Sequence, residues 1–247
     1  MSILAARGLH KAFGALAVTQ DVSLAVQAGE VHALIGPNGA GKSSLVAQLA
    51  GTLVPDAGSV RLDGDDVTRL PPHGRARRGL VRTFQVSALV GPLSALENVA
   101  LAVQARSPRP LAPFRRAAGD AALEGPARQA LAAVRLGNRA SVPAEALSHG
   151  ERRALELACA LALAPRVLLL DEPLAGMGHE EGRRIVALLA GLKGRFAMLL
   201  VEHDMDAVFA LADRVSVLVS GRIIASGPPE EVRADAAVRA AYLGEDG

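Results

Sequence analysis

The feature that most constrains this chain is a glycine-rich stretch near its N-terminal end. The sequence Gly-Pro-Asn-Gly-Ala-Gly-Lys-Ser-Ser, residues 36–44, matches the phosphate-loop pattern G-x-x-x-x-G-K-[ST] at every fixed position. An apolar run at 31–35 precedes it as a buried strand would. Residues 44–50 follow with a helix-like composition up to Gly51, a typical helix stop. This order of strand, loop and helix predicts a binding site for nucleotide phosphates.

Each residue type in the loop has a physical task. Glycines allow a tight turn in which several backbone N–H groups face one anion, and the following helix adds the positive end of its dipole. Lys42 is predicted to reach the outer phosphates, and the Ser43 hydroxyl to ligate Mg²⁺. The predicted phosphate-binding set is Gly36, Pro37, Asn38, Gly39, Ala40, Gly41, Lys42, Ser43 and Ser44.

Composition narrows the possible classes of protein. The chain has 247 residues, of which 50% are hydrophobic, so it can bury a sizeable core as one large domain or two small ones. Its net charge of +2 is too small to indicate nucleic-acid binding, and its single cysteine excludes an internal disulfide. No apolar run approaches the roughly 18 residues of a membrane span. We therefore expect a soluble, cytoplasmic chain whose membrane role, if any, depends on partners.

The pattern of elements predicts an α/β fold. Short β segments are expected at 4–9, 16–19 and 22–26, and a hairpin strand at 58–64. Helical spacing at 96–105 and 118–136 predicts a helical insertion over 88–146. Elsewhere strands alternate with helices, which predicts a doubly wound parallel sheet. The strands are expected at 79–84, 167–170, 197–202 and 215–219, and the helices at 148–164, 180–193 and 204–212.

Two acids follow a fully apolar predicted strand. Because Asp171 and Glu172 end that strand, they are expected at the carboxyl edge of the sheet, beside the phosphate loop. Asp171 is predicted to hold Mg²⁺ directly or through water. Glu172 is predicted to polarise a water for in-line attack on the γ-phosphate. The alternative is an ordinary acid pair on a solvated rim.

Two further polar residues follow predicted strands. The imidazole of His203 can donate to a γ-phosphate oxygen, although a single histidine is more often a surface or capping residue. Gln85 is placed to contact Mg²⁺ or the attacking water, but alone it is a weak signal.

A second anion site is predicted at a helix start. Ser148 is a good N-cap, and Glu151 stands at the capping-box position. Ser148, Gly150 and the exposed helix N-terminus also form a surface that favours phosphate. Capping and phosphate binding are compatible readings of the same residues.

Taken in order, these motifs resemble ABC-type ATPase domains over nearly the whole chain. The resemblance implies a P-loop NTPase fold with a RecA-like parallel-sheet core, an N-terminal antiparallel β subdomain and an inserted α-helical subdomain. It implies one domain over 1–247, with 1–87 and 165–247 as the core plus β subdomain and 88–164 as the helical subdomain. The implied cofactors are ATP and Mg²⁺, and the implied reaction is ATP hydrolysis.

The resemblance also implies a role for each motif. Residues 36–44 resemble the Walker A loop, Asp171 the Walker B aspartate and Glu172 the catalytic base. Four further assignments complete the set. Gln85 resembles the Q-loop glutamine, which would be a ligand of Mg²⁺ beside Ser43 and Asp171, and His203 resembles the switch histidine. Ser148 and Gly150 resemble the signature that binds ATP of the opposite subunit, and Phe13 resembles the aromatic that stacks on adenine.

Details of the motifs are similar to one subfamily, which energises uptake of branched-chain amino acids and related amides and urea. These details are His149 and Glu151 in the signature, Gly178 where Asp is frequent, and the ending at 241–244. The implied partners are membrane-spanning permease subunits, a second ATPase subunit in a homodimer or heterodimer and, indirectly, an extracytoplasmic binding protein, with no nucleic acid. The implied location is the cytoplasmic side of the bacterial inner membrane, reached through the permease.

Three alternatives remain open from the sequence. One is the ATPase of a lipid or lipopolysaccharide exporter, whose nucleotide domains are closely similar. Another is a soluble ABC-type ATPase that acts on DNA or ribosomes, although such proteins usually carry two nucleotide domains or long coiled coils. A P-loop kinase is disfavoured because it needs an acceptor site rather than a second phosphate-binding surface.

Overall fold

The computed structural model describes residues 2–83, 89–106 and 120–243. Its N-terminal part is an antiparallel sheet. Within the described residues its strand order is β2-β1-β4-β5, with β1 at Ser2–Phe13, β2 at Leu16–Gln27, β4 at Ala57–Leu62 and β5 at Asp65–Asp66. The segments predicted at 16–19 and 22–26 are one continuous strand. A break was predicted because Gln20 and Asp21 interrupt the apolar pattern. The chain instead passes them as a bulge, with Asp21 in the left-handed region at φ 57°.

A second sheet forms the centre of the molecule. In the described part of the chain it has the order β10-β9-β3-β8-β7-β6, and its strands are parallel except β10. The predicted parallel sheet is confirmed. Its strands are β3 Val31–Ile35, β6 Leu80–Arg82, β7 Val167–Asp171, β8 Ala197–Val201, β9 Arg214–Val219 and β10 Arg222–Gly227.

Helices cover the sheets. The described helices are α1 Lys42–Ala50, α2 Pro72–Arg77, α3 Ala95–Ala105, α4 Ala121–Ala133, α5 His149–Ala162, α6 His179–Leu192, α7 Met205–Leu211, α8 Pro229–Ala234 and α9 Ala236–Leu243. The short helices α2, α8 and α9 were not predicted. Over the ranges described, none of the helices combines the length and apolar character that a membrane crossing needs.

The central strands are buried on both faces, as their unbroken apolar sequences require. Every residue of β3, β7 and β8 is buried. Along β7, Leu168 and Leu170 pack with α3, α4 and α5, whereas Val167 and Leu169 pack with α1 and the antiparallel sheet. The helices α3, α4 and α5 share one continuous core with the parallel sheet, and their division into a separate inserted subdomain stays a prediction.

The register of the central strands aligns their carboxyl ends. Leu34 of β3 pairs with Val201 of β8, and Val201 pairs in turn with Asp171 of β7. Neighbouring strands lie about 4.8 Å apart. The segments that leave β3, β8 and β7 therefore emerge side by side at one edge of the sheet, and these segments carry most of the predicted site.

Candidate active site

The phosphate loop leaves β3 in a conformation that only glycine adopts easily. Gly36 and Gly41 have φ of 152° and 103°. A Cβ on Gly36 would lie 2.0 Å from the Leu218 carbonyl oxygen, and one on Gly41 would lie 2.2 Å from the Val18 carbonyl oxygen. The loop therefore packs directly against β9 and β2, and the backbone leaves no room for side chains at these two positions.

Lys42 begins α1, two residues before the predicted helix start. Its Nζ donates to the carbonyl oxygens of Gly36 and Pro37 at 2.5 and 2.8 Å. The ammonium therefore lies over the loop itself, where a phosphate cradled by the loop would meet it. No side chain caps the N-terminus of α1, since Gly41 is the N-cap residue.

The other end of α1 is fixed by a buried cation. Arg75 is 1% exposed and donates to the carbonyl oxygens of Gln48 and Leu49 at 2.7 and 2.5 Å. Burial lowers the pKa of Arg75 to about 10. A positive charge at the C-terminus of α1 complements the helix dipole, whose positive end faces the phosphate loop.

Asp171, the last residue of β7, is 3% exposed. Its Oδ2 accepts a hydrogen bond from Nη2 of Arg82 at 2.6 Å, an ion pair between the ends of neighbouring strands. Its Oδ1 is buried and has no hydrogen-bond partner among the described residues. One oxygen is therefore neutralised by Arg82, and the other remains available to an additional ligand.

Glu172 is in the left-handed region with φ 47°, which is uncommon for a residue with a long side chain. Two hydrogen bonds hold it there: its N–H donates to Val201 O at 2.9 Å, and its own carbonyl accepts from Ala175 N at 3.1 Å. The side chain is half-buried. Backbone strain that the surroundings enforce is common at functional sites, and here it sets the direction of the Glu172 side chain.

Glu202 and His203 leave β8 between the phosphate loop and Glu172. Glu202 is 1% exposed, and its two oxygens accept hydrogen bonds from Leu174 N at 2.8 Å and His203 N at 3.1 Å. Burial raises the pKa of Glu202, and the hydrogen bonds from Leu174 and His203 oppose that rise. The His203 side chain is 71% exposed, with Nδ1 3.8 Å from Glu202 Oε2.

The start of α5 has the predicted capping box. Ser148 Oγ accepts from Glu151 N at 3.2 Å, and Glu151 Oε2 accepts from Ser148 N at 2.9 Å. A second carboxylate reaches the same helix end, because Gly150 N donates to Oε1 of Glu181 at 3.3 Å. Ser148, Gly150 and Glu181 line a pocket of about 390 Å³ that opens to solvent.

Phe13 ends β1 with 53% of its surface exposed, and Lys11 Nζ lies 5.6 Å from the centre of its ring. An aromatic ring so exposed is available for stacking rather than committed to the core. Gln85 lies outside the described residues, so its predicted place at the site stays a prediction.

The structure therefore brings the segments carrying residues 36–44, Asp171, Glu172 and His203 to one edge of the sheet. Ser148 and Gly150 instead belong to the start of α5. Sequence reasoning missed three anchoring residues, namely Arg82, Glu181 and the carboxylate of Glu202. Arg82 and Glu181 carry no distinguishing signal in the sequence, since an arginine at a strand end and an acid in the first turn of a helix are ordinary. Glu202 likewise carries no distinguishing signal, since an acid directly after an apolar strand does not show by itself what it binds.

Comparison with known protein families agrees with this geometry. The family described as ABC transporter matches residues 19–175, which contain the phosphate loop, Ser148, Asp171 and Glu172. The chain belongs to the ABC transporter family. It is accordingly an ATP-binding cassette that hydrolyses ATP to power transport. Residues 222–247 also match a family described as branched-chain amino acid ATP-binding cassette transporter.

Curated relatives of this ABC cassette span its full length. BraF, a high-affinity branched-chain amino acid transport ATP-binding protein of Pseudomonas aeruginosa, is 38% identical, with 98% of each chain covered. LptB, the lipopolysaccharide export system ATP-binding protein of Escherichia coli, is 34% identical, covering 100% of this chain and 99% of LptB. The two relatives are named for different cargoes, although their identities to this chain differ little.

Solved structures agree with the fold. The ADP conformation of MJ1267, an ATP-binding cassette of an ABC transporter, has a TM-score of 0.88 at 30% identity, covering 99% of each chain. A nucleotide-free ATP-binding cassette from an ABC transporter has a TM-score of 0.87 at 30% identity. The predicted α/β P-loop ATPase fold is confirmed.

Proposed function

We propose that this chain is the ATP-hydrolysing subunit of an importer for branched-chain amino acids or related amides. The observation that carries this proposal is the match of residues 222–247 to the branched-chain amino acid family. BraF at 38% identity and LivG of Salmonella typhimurium at 36% identity, both named for branched-chain amino acid transport, support the same cargo.

We propose that each ATP binds between two copies of this surface. The phosphate loop of one subunit and the helix start at Ser148 and Gly150 of another face the same γ-phosphate. The capping geometry supports this, because Ser148 Oγ accepts from Glu151 N and retains its own proton for donation. The exposed ring of Phe13 supports the proposed stacking on adenine. The second subunit is another copy or a related ATPase.

In this arrangement Glu172 is the general base. Its enforced backbone supports the assignment, because a fixed carboxylate polarises a water without further reorganisation. Lys42 neutralises the outer phosphates, and His203, exposed at the end of the neighbouring strand, donates to the γ-phosphate. Gln85 orients the attacking water in the same proposal.

The residues present also fit Mg²⁺. Asp171 Oδ1 is a buried carboxylate oxygen without a partner among the described residues, and oxygen ligands of this kind suit Mg²⁺. Ser43, Asp171 and Gln85 would hold the ion, which supplies charge neutralisation for the phosphates. In the described ranges no cluster of three or more His, Cys, Asp or Glu side chains could hold a metal.

We further propose that residues 88–164 act as a helical subdomain which contacts membrane-spanning permease subunits. An apolar groove of about 220 Å³, lined among others by Val81, Leu89, Leu101 and Leu163, supports this contact. The groove also includes Arg82 and Thr83, which immediately precede the segment of Gln85. In the proposed assembly the chain is held at the cytoplasmic side of the inner membrane by the permease, and an extracytoplasmic binding protein delivers the cargo.

The test is reconstitution of the purified chain with its permease subunits in proteoliposomes. Addition of a binding protein loaded with leucine is expected to stimulate ATP hydrolysis and to drive leucine uptake. Lys42→Ala in the same preparation should abolish both, because the outer phosphates lose their cation. ATP hydrolysis that responds to lipopolysaccharide and not to leucine would contradict the proposed cargo.

ATP hydrolysis that responds to lipopolysaccharide would indicate the alternative function, which is the ATPase of a lipopolysaccharide or lipid exporter. LptB of Escherichia coli, at 34% identity over the whole chain, favours it. A third possibility, a soluble ABC ATPase without a transport role, predicts that the chain does not copurify with detergent-solubilised permease subunits.

A further inference from the structure

Glu202 is an unusual residue for the end of a central strand. It is buried to 1% exposure and follows the fully buried strand β8, and among the described residues its hydrogen bonds come from backbone N–H groups. Burying a carboxylate is costly unless hydrogen bonds compensate. Glu202 receives these bonds from two backbone N–H groups on two different loops, so its position depends on both loops at once.

The two loops carry the proposed chemistry. Leu174, whose N–H meets Oε1, belongs to the turn that Glu172 begins and that closes with the bond from Ala175 N to Glu172 O. His203, whose N–H meets Oε2, is the exposed histidine proposed to contact the γ-phosphate. The His203 ring lies near the same oxygen, with Nδ1 at 3.8 Å.

The Glu202 side chain by itself connects the loop of Leu174 with the loop of His203 through these two hydrogen bonds. The Glu202 side chain spans the gap between the ends of β8 and β7, which a backbone bridge also crosses, the bond from Glu172 N to Val201 O at 2.9 Å. That bridge holds the base of the turn, whereas Glu202 holds the turn two residues further on. The same carboxylate therefore contacts both the backbone of His203 and the turn that Glu172 begins.

We propose that Glu202 is a positioning residue for ATP hydrolysis, which couples the placement of His203 to the turn that aims Glu172. The inference rests on the proposed roles of Glu172 and His203. It assigns to Glu202 no contact with nucleotide or with water. Its effect is on the rate of the chemical step through the geometry of two neighbouring residues.

The coupling is tested by a double-mutant cycle in ATP hydrolysis. Glu202→Gln keeps the size of the side chain but replaces one acceptor oxygen by an NH₂ group, so one of the two loops loses its bond. We expect kcat to fall about tenfold while the KM for ATP stays within about twofold. His203→Ala removes the imidazole but keeps the backbone N–H that Glu202 binds. Because Glu202 is proposed to act through the placement of that imidazole, the same substitution in this background is expected to change kcat by less than about twofold.

Two further variants control for a merely structural effect. Asp204→Asn alters the neighbouring carboxylate, which caps α7 through Ala207 N at 3.1 Å, and is expected to leave kcat unchanged. Glu202→Asp keeps the charge but shortens the side chain by one methylene, which is too short to hold both N–H groups, and is expected to match Glu202→Gln. Urea unfolding confirms that each variant is folded at the assay temperature.

The outcomes separate this inference from the proposed function. Suppose that His203→Ala lowers kcat by one factor and Glu202→Gln by another. If the double variant loses the product of these two factors, the two residues act independently and the coupling is overturned. If His203→Ala leaves kcat unchanged, the role of His203 itself fails, and the coupling fails with it. A rise in KM with unchanged kcat for Glu202→Gln would also overturn the proposal.

Discussion

A buried carboxylate lies at the end of β7 and another at the end of β8, but different groups hold the two carboxylates. A buried acid is the last residue of β7 and the first residue after β8, and a more accessible residue follows each: Asp171 precedes Glu172, and Glu202 precedes His203. At β7 the buried acid is neutralised by Arg82, which holds one oxygen and leaves the other without a partner in the described structure. At β8 both oxygens are held by backbone N–H groups.

This difference corresponds to two roles of a buried carboxylate, which are binding a metal and holding neighbouring loops. Asp171 keeps an oxygen available, as a metal ligand must, and it needs the Arg82 charge because the interior does not solvate it. Both oxygens of Glu202 are already engaged by backbone N–H groups, so we infer that it acts on the loops that it joins. In this interpretation each buried acid positions the accessible residue that follows it. Substitutions at the two strand ends test the comparison.

The largest effect is expected at the accessible end of β7. Glu172→Gln removes the proposed base without removing any phosphate ligand, so kcat for ATP hydrolysis should fall by about 10²–10⁴-fold. ATP binding, measured with a fluorescent nucleotide, should be retained, and an ATP-bound dimer should accumulate in size-exclusion chromatography. Glu180→Gln changes an exposed acid that pairs with Arg184, and it serves as the matched control. Normal hydrolysis by Glu172→Gln would show that the base is elsewhere.

The next effect concerns the neutralisation of Asp171. Arg82→Met leaves a buried carboxylate without its cation, and it is expected to lower the free energy of unfolding by about 3–5 kcal/mol. Urea denaturation of the nucleotide-free protein measures this. Arg166→Met breaks the exposed pair with Asp63, where both side chains are about half exposed, and should cost at most about 1 kcal/mol. Equal losses in the two variants would mean that burial does not distinguish the pairs.

A smaller effect is expected for a substitution of Glu181, whose carboxylate lies at the start of α5. Glu181 accepts from Gly150 N, a donor that the proposed sandwich assigns to the γ-phosphate of the opposite ATP. Glu181→Gln removes a negative charge that competes with phosphate for this helix end, so the ATP concentration for half-maximal dimerisation should fall by about two- to fivefold. Analytical ultracentrifugation over an ATP titration measures it, and weaker dimerisation would contradict the competition.

His32 in β3 provides the neutral counterpart of the two buried acids. It is 1% exposed, donates from Nδ1 to Ala25 O at 3.0 Å and accepts at Nε2 from Ser216 Oγ at 2.8 Å. Burial lowers its pKa from the ordinary 6.5, and Arg214 adds to this while Glu30 opposes it. Below pH 6.5 the unfolded chain therefore binds a proton that the folded chain resists, and stability should decline with acidification.

The pH dependence of urea unfolding between pH 7 and pH 5 tests this last prediction. His32→Gln keeps one donor and one acceptor but does not titrate, so its stability should vary less over that range than that of the natural chain. A steeper decline in the variant would show that His32 does not contribute in this direction.

The sequence by itself determined the features that depend on local patterns. The glycine loop after β3, the apolar strands of the parallel sheet and the capping box at Ser148 each follow from residues within a few positions of one another. The order of these motifs was sufficient to predict the ATPase fold. It was not sufficient for the lengths of β1 and β2, because a bulge at Asp21 preserves pairing where the apolar pattern breaks.

Only the tertiary structure decided how the site is supported. Arg82 and Asp171 are 89 positions apart, Gly150 and Glu181 are 31 apart, and Leu174 and Glu202 are 28 apart. Each contact exists because strand register and helix packing bring two distant segments together, and no local periodicity encodes such a pairing. The reacting groups are therefore readable from the chain, whereas the residues that hold them in place emerge only when the sheet is assembled.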